Sequence, residues 1–164
     1  MKRGEARGIA FGGMMAALAM TIMCVGGLLP IATFTCPVIS MLILGYVTKI
    51  CGKRIGWAWY GAVALLGLML APDKEAAAVF AFIGFYPIVK SAFDRMKFGL
   101  VLKLILFNTL ILIMYGLLIY IMGMDQLADE FREMGQIMTV ITLILGNAVF
   151  FLLDKALRRF QKIK

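Results

Sequence analysis

Long apolar runs separated by short polar connections dominate this sequence. Six runs can be drawn, at residues 9–29, 31–48, 55–71, 76–89, 100–122 and 136–153. A helix that crosses a bilayer needs about 20 residues, within a range of about 17–25. The pattern therefore predicts an all-α fold, a compact bundle of six transmembrane helices that forms a single integral membrane domain over residues 1–164.

The fourth run, 76–89, is short for a complete span. It reaches the required length if Glu75 and residues 90–92 are included, because long charged side chains can extend from a helix end to the lipid head groups. The alternative is a helix that crosses part of the membrane and packs among the other segments. The sequence is compatible with both arrangements.

Basic residues occur on alternate connections between the runs. They lie before run one, between runs two and three, between runs four and five (one just inside run five), and after run six: Lys2, Arg3, Arg7; Lys49, Lys53, Arg54; Lys90, Arg95, Lys97, Lys103; Lys155, Arg158, Arg159, Lys162, Lys164. The other connections carry Lys74 and Arg132. Because cytoplasmic connections are enriched in Lys and Arg, this alternation predicts an even number of spans in the plasma membrane, with both termini cytoplasmic.

Composition excludes several function classes. The chain is 63% hydrophobic, and its net charge of +8 comes from residues that flank apolar runs, unlike the continuous basic surface of a nucleic-acid-binding protein. It has no histidine, and Cys24, Cys36 and Cys51 lack the spacing of a zinc site. A histidine-activated nucleophile is therefore excluded. We expect no enzymatic activity, no metal and no cofactor, and a disulfide between Cys24 and Cys36 is left open.

The connection Pro72-Asp73-Lys74-Glu75 places three consecutive charges between runs three and four. Such charges must reach water, line a polar cavity or pair within the protein. Proline and acidic residues are favoured in the first turn of a helix, so Asp73 and Glu75 can cap run four. The alternative is that Asp73, Lys74 and Glu75 bind or gate a solute at the outer mouth of the bundle.

Polar side chains also occur inside runs five and six. Asn108 and Asn147 lie at similar depths, roughly 9–12 Å from the inner ends at ~1.5 Å per residue, which makes a hydrogen bond between them plausible, as a structural or a ligand contact. Tyr115 lies one heptad beyond Asn108, and with Thr139 of run six it is a candidate solute contact. In the loop before run six, apolar residues at helical spacing predict a short amphipathic helix on the outer surface: Leu127, Phe131 and Met134.

Run one carries small residues at helical spacing: Gly12, Gly13, Ala16 and Ala17. Small residues let helix backbones approach closely in a bilayer. They indicate either internal packing against another run or a docking face for a partner membrane subunit.

These features together resemble the S components, the substrate-binding subunits of energy-coupling-factor (ECF) transporters. The resemblance lies in the small-residue first helix, the proline-bounded connection from Pro30 to Pro37, the length and the six short helices. In that family, small residues of the first helix contact the coupling subunit, often as Ala-xxx-Ala, which Ala6 and Ala10 match here. Residues 72–77, 84–90 and 103–108 also look like an uncharacterised family of small membrane proteins from Gram-positive anaerobes.

The resemblance implies a substrate-binding subunit that takes up a small water-soluble, vitamin-like nutrient. Its partners would be the lipid bilayer, a transmembrane coupling subunit and the ATPases of an ECF module, since this chain has no phosphate-binding loop of its own. The candidate substrate contacts are Asp73, Lys74, Glu75, Tyr115 and Thr139, and the candidate docking residues are Gly12, Gly13, Ala16 and Ala17. The alternative is a non-transport scaffold of the MreD type that organises cell-envelope enzymes.

Overall fold

The structure is a computed structural model that describes residues 3–26, 32–95, 99–120 and 125–162, with the side chains of 3–6, 32, 125–136, 138–139 and 160–162 outside the description. These residues form seven α-helices: α1 (Arg3–Gly26), α2 (Ala32–Cys51), α3 (Lys53–Leu70), α4 (Lys74–Ile83), α5 (Tyr86–Phe93), α6 (Gly99–Tyr120) and α7 (Asp125–Lys162). The predicted all-α fold is confirmed for them. Cys24 and Cys36 are free thiols.

Five segments are long and apolar enough to cross a membrane: Arg7–Gly26, Thr33–Cys51, Lys74–Phe93, Gly99–Tyr120 and Val140–Arg159. They correspond to predicted runs one, two, four, five and six. The predicted third run forms α3, which has 18 residues but begins with Lys53 and Arg54, and it is not among the five. The structure therefore supports a multi-pass membrane protein with five clear candidate spans.

Run four forms two helices instead of one. The helical ladder is interrupted at Gly84 and Phe85, because Pro87 has no amide proton to donate to the preceding turn. The amide of Ile88 instead donates to the Phe85 carbonyl, 3.0 Å away. Together α4 and α5 extend the segment to Lys74–Phe93, a length of 20 residues that suits a complete span.

Run six is longer than the sequence predicted. The short surface helix expected before it is not separate, because α7 is continuous over 38 residues from Asp125 to Lys162. Gly135 and Gln136 lie inside it, so the glycine does not end the helix. At 1.5 Å per residue α7 is about 57 Å long, and it exceeds a hydrocarbon core of about 30 Å.

The helix α4 is largely buried within the bundle. Ala76, Ala77 and Ala78 are buried on it, and these small side chains allow α2, α3 and α6 to pack closely around one helix. The hydroxyl of Tyr60 on α3 donates to the Ala81 carbonyl of α4. The segment Lys74–Phe93 is accordingly the most buried of the five candidate spans.

Contacts between helix ends bring the basic connections to one end of the bundle, which we call the basic end. Cys51 at the end of α2 donates to the Gly8 carbonyl of α1, and Lys53 of α3 donates to Ser91 of α5. The opposite end, which we call the turn end, carries residues 72–75. Most of the described basic residues therefore lie at the basic end, away from the acidic residues of this turn.

The small residues of α1 divide into two faces. Gly12 is buried against α3, where the indole of Trp59 donates to its carbonyl at 3.0 Å. Gly13 and Ala17 are exposed, and a Cβ added at Gly13 would meet no atom within 4 Å. Gly12 therefore serves internal packing, whereas Gly13 and Ala17 lie on an open face.

We expect Gly12→Leu to destabilise the protein by about 1–3 kcal/mol, because the larger side chain must displace Ile55 and Trp59. Gly13→Leu is the matched control and should not lower the stability, because the position is open and leucine favours a helix more than glycine does. Thermal unfolding in detergent, followed by circular dichroism, measures both. Equal losses for the two variants would contradict the assignment of the faces.

Candidate functional site

The turn at residues 72–75 is held by its own side chains. Asp73 is the N-cap of α4, and its carboxylate accepts from the Ala76 amide at 3.0 Å. The ammonium of Lys74 donates to the carbonyls of Leu68 and Met69, at 2.9 and 3.3 Å, at the end of α3. Lys74 therefore joins α4 to the end of α3, and the predicted capping role is confirmed for Asp73.

The structure brings together two of the predicted substrate contacts. The Tyr115 hydroxyl of α6 donates to Glu75 Oε1 of α4 at 2.5 Å. Tyr115 is 8% exposed and Glu75 is half-buried, so this bond to a carboxylate is partly shielded from solvent. Thr139, the fifth predicted contact, lies in α7, and its side chain is outside the described residues.

An apolar cavity of about 30 Å³ lies next to this pair, between α2, α4, α6 and α7. Four helices line it: Phe34, Val38 and Met41 of α2, Val79 and Ile83 of α4, Phe107, Ile111, Met114 and Tyr115 of α6, and Gly146, Val149, Phe150 and Leu153 of α7. By this measure a cavity of about 10–15 Å³ already holds a water molecule, so this one accommodates a small chemical group. Tyr115 belongs both to its wall and to the polar pair with Glu75.

An aromatic layer borders the cavity on the side of the basic end. The ring of Phe150 lies 4.6 Å from that of Phe107 and 4.8 Å from that of Tyr86, measured between centroids. Phe107 and Phe150 face the cavity, whereas the Tyr86 hydroxyl donates to Asp154 beyond it. The layer therefore separates the cavity from a second polar cluster.

This second cluster contains three buried charged side chains. Lys90 is 0% exposed, Lys103 is 1% exposed and Asp154 is 4% exposed. They come from α5, α6 and α7, and Asp94 and Arg158 complete the set. Ionisable groups at such positions in a membrane bundle are costly unless they pair with one another.

Asp154 is the acceptor that the cluster shares. Its Oδ1 accepts from Lys90 at 2.5 Å, from Lys103 at 3.3 Å and from the Tyr86 hydroxyl. Its Oδ2 accepts from Arg158, with nitrogen–oxygen distances of 2.7 and 2.8 Å. One carboxylate thus ties three helices together.

Asp94 closes a ring of charges with the same two lysines. Its Oδ2 accepts from Lys90 at 2.9 Å, and its Oδ1 accepts from Lys103. Partial burial alone would raise the pKa of Asp94, but the hydrogen bonds from Lys103 and Lys90 outweigh it and lower that pKa. The four groups Lys90, Asp94, Lys103 and Asp154 form a neutral ring, which we call the charge ring.

This cluster is not among the sites predicted from the sequence, where Lys90 and Lys103 serve as markers of orientation. The available signal was Asp154, an acidic residue that follows directly on run six, together with two acid–base pairs at helical spacing. These pairs, Lys90 with Asp94 and Asp154 with Arg158, are four residues apart, as helical ion pairs require. Their convergence on one point depends on tertiary packing.

The predicted bond between the two asparagines is confirmed. Asn147 Nδ2 of α7 donates to Asn108 Oδ1 of α6 at 2.9 Å. Both side chains also bond to their own helices, Asn108 to the Leu104 carbonyl and Asn147 to the Leu143 carbonyl. Among the described residues, Asn147 Oδ1 is a buried acceptor without a partner. The pair therefore links α6 to α7, and Asn147 Oδ1 is left without a donor among the described residues.

Asp154→Asn should destabilise the protein by about 3–5 kcal/mol, because it leaves two buried ammonium groups with one carboxylate. Arg158→Ala is the control, since this side chain is 54% exposed and its loss should cost less than about 1 kcal/mol. Thermal unfolding in detergent compares the two. Similar losses would show that the buried charges do not hold the helices together.

The lowered pKa of Asp94 predicts an acid-dependent loss of stability. In the unfolded chain this carboxyl has a pKa of about 3.9, and the folded value lies below it. The stabilisation is therefore complete above about pH 4 and is lost as the pH falls through the folded pKa. The stability difference between the wild type and Asp94→Asn, measured between pH 6 and pH 2, should shrink below about pH 4. A constant difference would contradict this.

Comparison of the chain with models of protein families, with curated proteins and with solved structures finds no match. Within the described residues, no group of histidine, cysteine and acidic side chains could hold a metal ion. The interpretation of the site therefore depends on its own geometry: a small apolar cavity between the Glu75–Tyr115 pair and the charge ring.

Proposed function

We propose that this chain is a solute-binding membrane subunit for the uptake of a small water-soluble nutrient, energised by a separate ATPase module as in the ECF transporters that it resembles. The observation that carries this proposal is the apolar cavity with Tyr115 in its wall, where the Tyr115 hydroxyl donates to the carboxylate of Glu75 beside it. Binding pockets combine apolar walls with a few polar groups that orient the ligand. The nutrient would place an apolar ring or chain in the cavity and a hydrogen-bond donor near Glu75.

In the proposed topology α3 also crosses the membrane and brings the number of spans from five to six. Both termini lie in the cytoplasm, and the protein lies in the plasma membrane. Its 18 residues extend about 27 Å, close to the thickness of the hydrocarbon core. Its outward side chains are large and apolar, with Leu65 exposed by 67% and Met69 by 77%, as expected for contact with lipid. An even number of spans puts both termini on the same side of the membrane. Because cytoplasmic connections are enriched in Lys and Arg, the basic end then lies on the cytoplasmic side.

The described cavity is smaller than a nutrient, so binding requires the lining helices to separate. The Glu75–Tyr115 bond joins α4 to α6 at the turn end, and the break at Gly84 and Phe85 divides α4 from α5. A solute that replaces the Tyr115 hydroxyl at Glu75 would remove this hydrogen bond between α4 and α6. These two helices then form the entrance from the outer side.

The coupling subunit would dock on the open face of α1 that contains Gly13 and Ala17. Both residues are exposed, and the space around Gly13 admits another helix. Gly12 is occupied by Trp59 and Ile55, so its part in docking would be indirect.

The decisive experiment co-expresses the tagged chain with the coupling subunit and the two ATPases of a host. We expect a stoichiometric complex in detergent that Gly13→Leu or Ala17→Leu weakens without lowering the stability of the isolated chain. Absence of a complex, with the chain folded, would refute the ECF-like role.

Solute binding is tested separately by thermal unfolding with a panel of vitamin-like compounds. A ligand at 100 times its dissociation constant stabilises the folded state by about 2.7 kcal/mol. Glu75→Gln and Tyr115→Phe should remove that stabilisation, whereas Tyr120→Phe, at a residue 89% exposed, should keep it. If Glu75→Gln leaves uptake normal in cells and alters their shape, the scaffold alternative is favoured.

A further inference from the structure

The charge ring contains two carboxylates in different situations. Asp154 is 6% exposed by its side chain and also accepts from Tyr86 and Arg158. Asp94 is the C-cap of α5, with a side chain 33% exposed, and within the described residues its carboxylate contacts Lys90 and Lys103. Asp94 is therefore the carboxylate of the ring that water reaches most readily.

Asp94 bridges the two lysines through different oxygens. Oδ2 faces Lys90 at 2.9 Å, and Oδ1 faces Lys103. A free carboxylate or a phosphate has the same pair of oxygens and can bridge two ammonium groups in the same way. The buried ammonium groups, at 0% and 1% exposure, are fixed by Asp154 on their other side.

We propose that Lys90 and Lys103 form a binding site for an anionic group, a phosphate or a carboxylate, and that Asp94 occupies this site in the present conformation. The site is distinct from the nutrient cavity, because the rings of Phe150 and Tyr86 lie between them. The inference therefore does not rest on the proposed nutrient-binding role.

The charge balance favours an external anion once Asp94 is displaced. Lys90, Lys103 and Arg158 then face Asp154 as the remaining carboxylate of the cluster, which leaves a local charge of +2. Exposed Lys155 and Arg159 of α7 add positive charge at the same end. A phosphate, which carries one to two negative charges at neutral pH, matches this excess and is attracted to it.

The test uses inorganic phosphate with the full-length chain in a neutral detergent, against chloride at equal ionic strength. Asp94→Asn empties the site while keeping the shape of the side chain. We expect phosphate to raise the unfolding temperature of Asp94→Asn saturably, because phosphate at 100 times its dissociation constant shifts the folding equilibrium roughly hundredfold. The wild type should respond to the same phosphate much more weakly, since Asp94 competes for both lysines.

The double variant Asp94→Asn/Lys103→Gln removes one of the two cations and should lose the phosphate response. The matched control Asp94→Asn/Lys155→Gln removes an exposed cation at the same end and should keep it. A phosphate response that survives Lys103→Gln, or that is equal in the wild type and Asp94→Asn, would overturn the proposal.

The same variants in nanodiscs separate a lipid head group from a soluble anion. If discs with phosphatidylglycerol stabilise Asp94→Asn more than discs of phosphatidylcholine, without added phosphate, the anion comes from lipid. If both discs behave alike and soluble phosphate still stabilises the variant, the anion is soluble. If Asp94→Asn does not fold, the shorter Asp94→Ser is purified with and without phosphate, and failure of phosphate to restore folding would also overturn the proposal.

Discussion

The carboxylate of Asp154 is the interaction on which the packing of α5, α6 and α7 depends. It accepts hydrogen bonds from Tyr86 and Lys90 of α5, from Lys103 of α6 and from Arg158 of α7. Hydrocarbon offers no water to stabilise an unpaired ammonium group, so each lysine requires a carboxylate beside it. These ion pairs fix the position of α7 along its own axis, together with the Asn108–Asn147 hydrogen bond and the packing of the apolar side chains.

The interior alternates between polar and apolar layers along the bundle. The Glu75–Tyr115 pair lies at the turn end, the apolar cavity follows, then the rings of Phe150 and Tyr86, and then the charge ring. Apolar layers isolate the two polar clusters from each other, which strengthens the electrostatic interactions inside each. A rearrangement that opens one cluster can therefore leave the other intact.

Residue spacing along the runs predicts contacts between side chains that lie at the same distance from the ends of neighbouring helices. Asn108 and Asn147 were paired because both lie at a similar distance from the inner ends, and Asp73 was recognised as a cap because capping is local. The division of run four into α4 and α5 depends on Pro87. The sequence shows that this proline removes one helical hydrogen bond, but the break that follows depends on tertiary packing. The continuity of α7 through Gly135 was not predicted, because an isolated glycine weakens a helix without ending it.

The charge ring could not be predicted, since hydropathy treats lysines near helix ends as reaching water, and their burial appears only when α5, α6 and α7 are assembled. A chain that ends before Asp154 lacks one of the two carboxylates of the ring. The six helices α1 to α6 of such a chain hold the two lysines of the ring with one aspartate. The early helices consequently carry an uncompensated positive charge that α7 neutralises. Addition of α7 thus completes the bundle electrically as well as sterically.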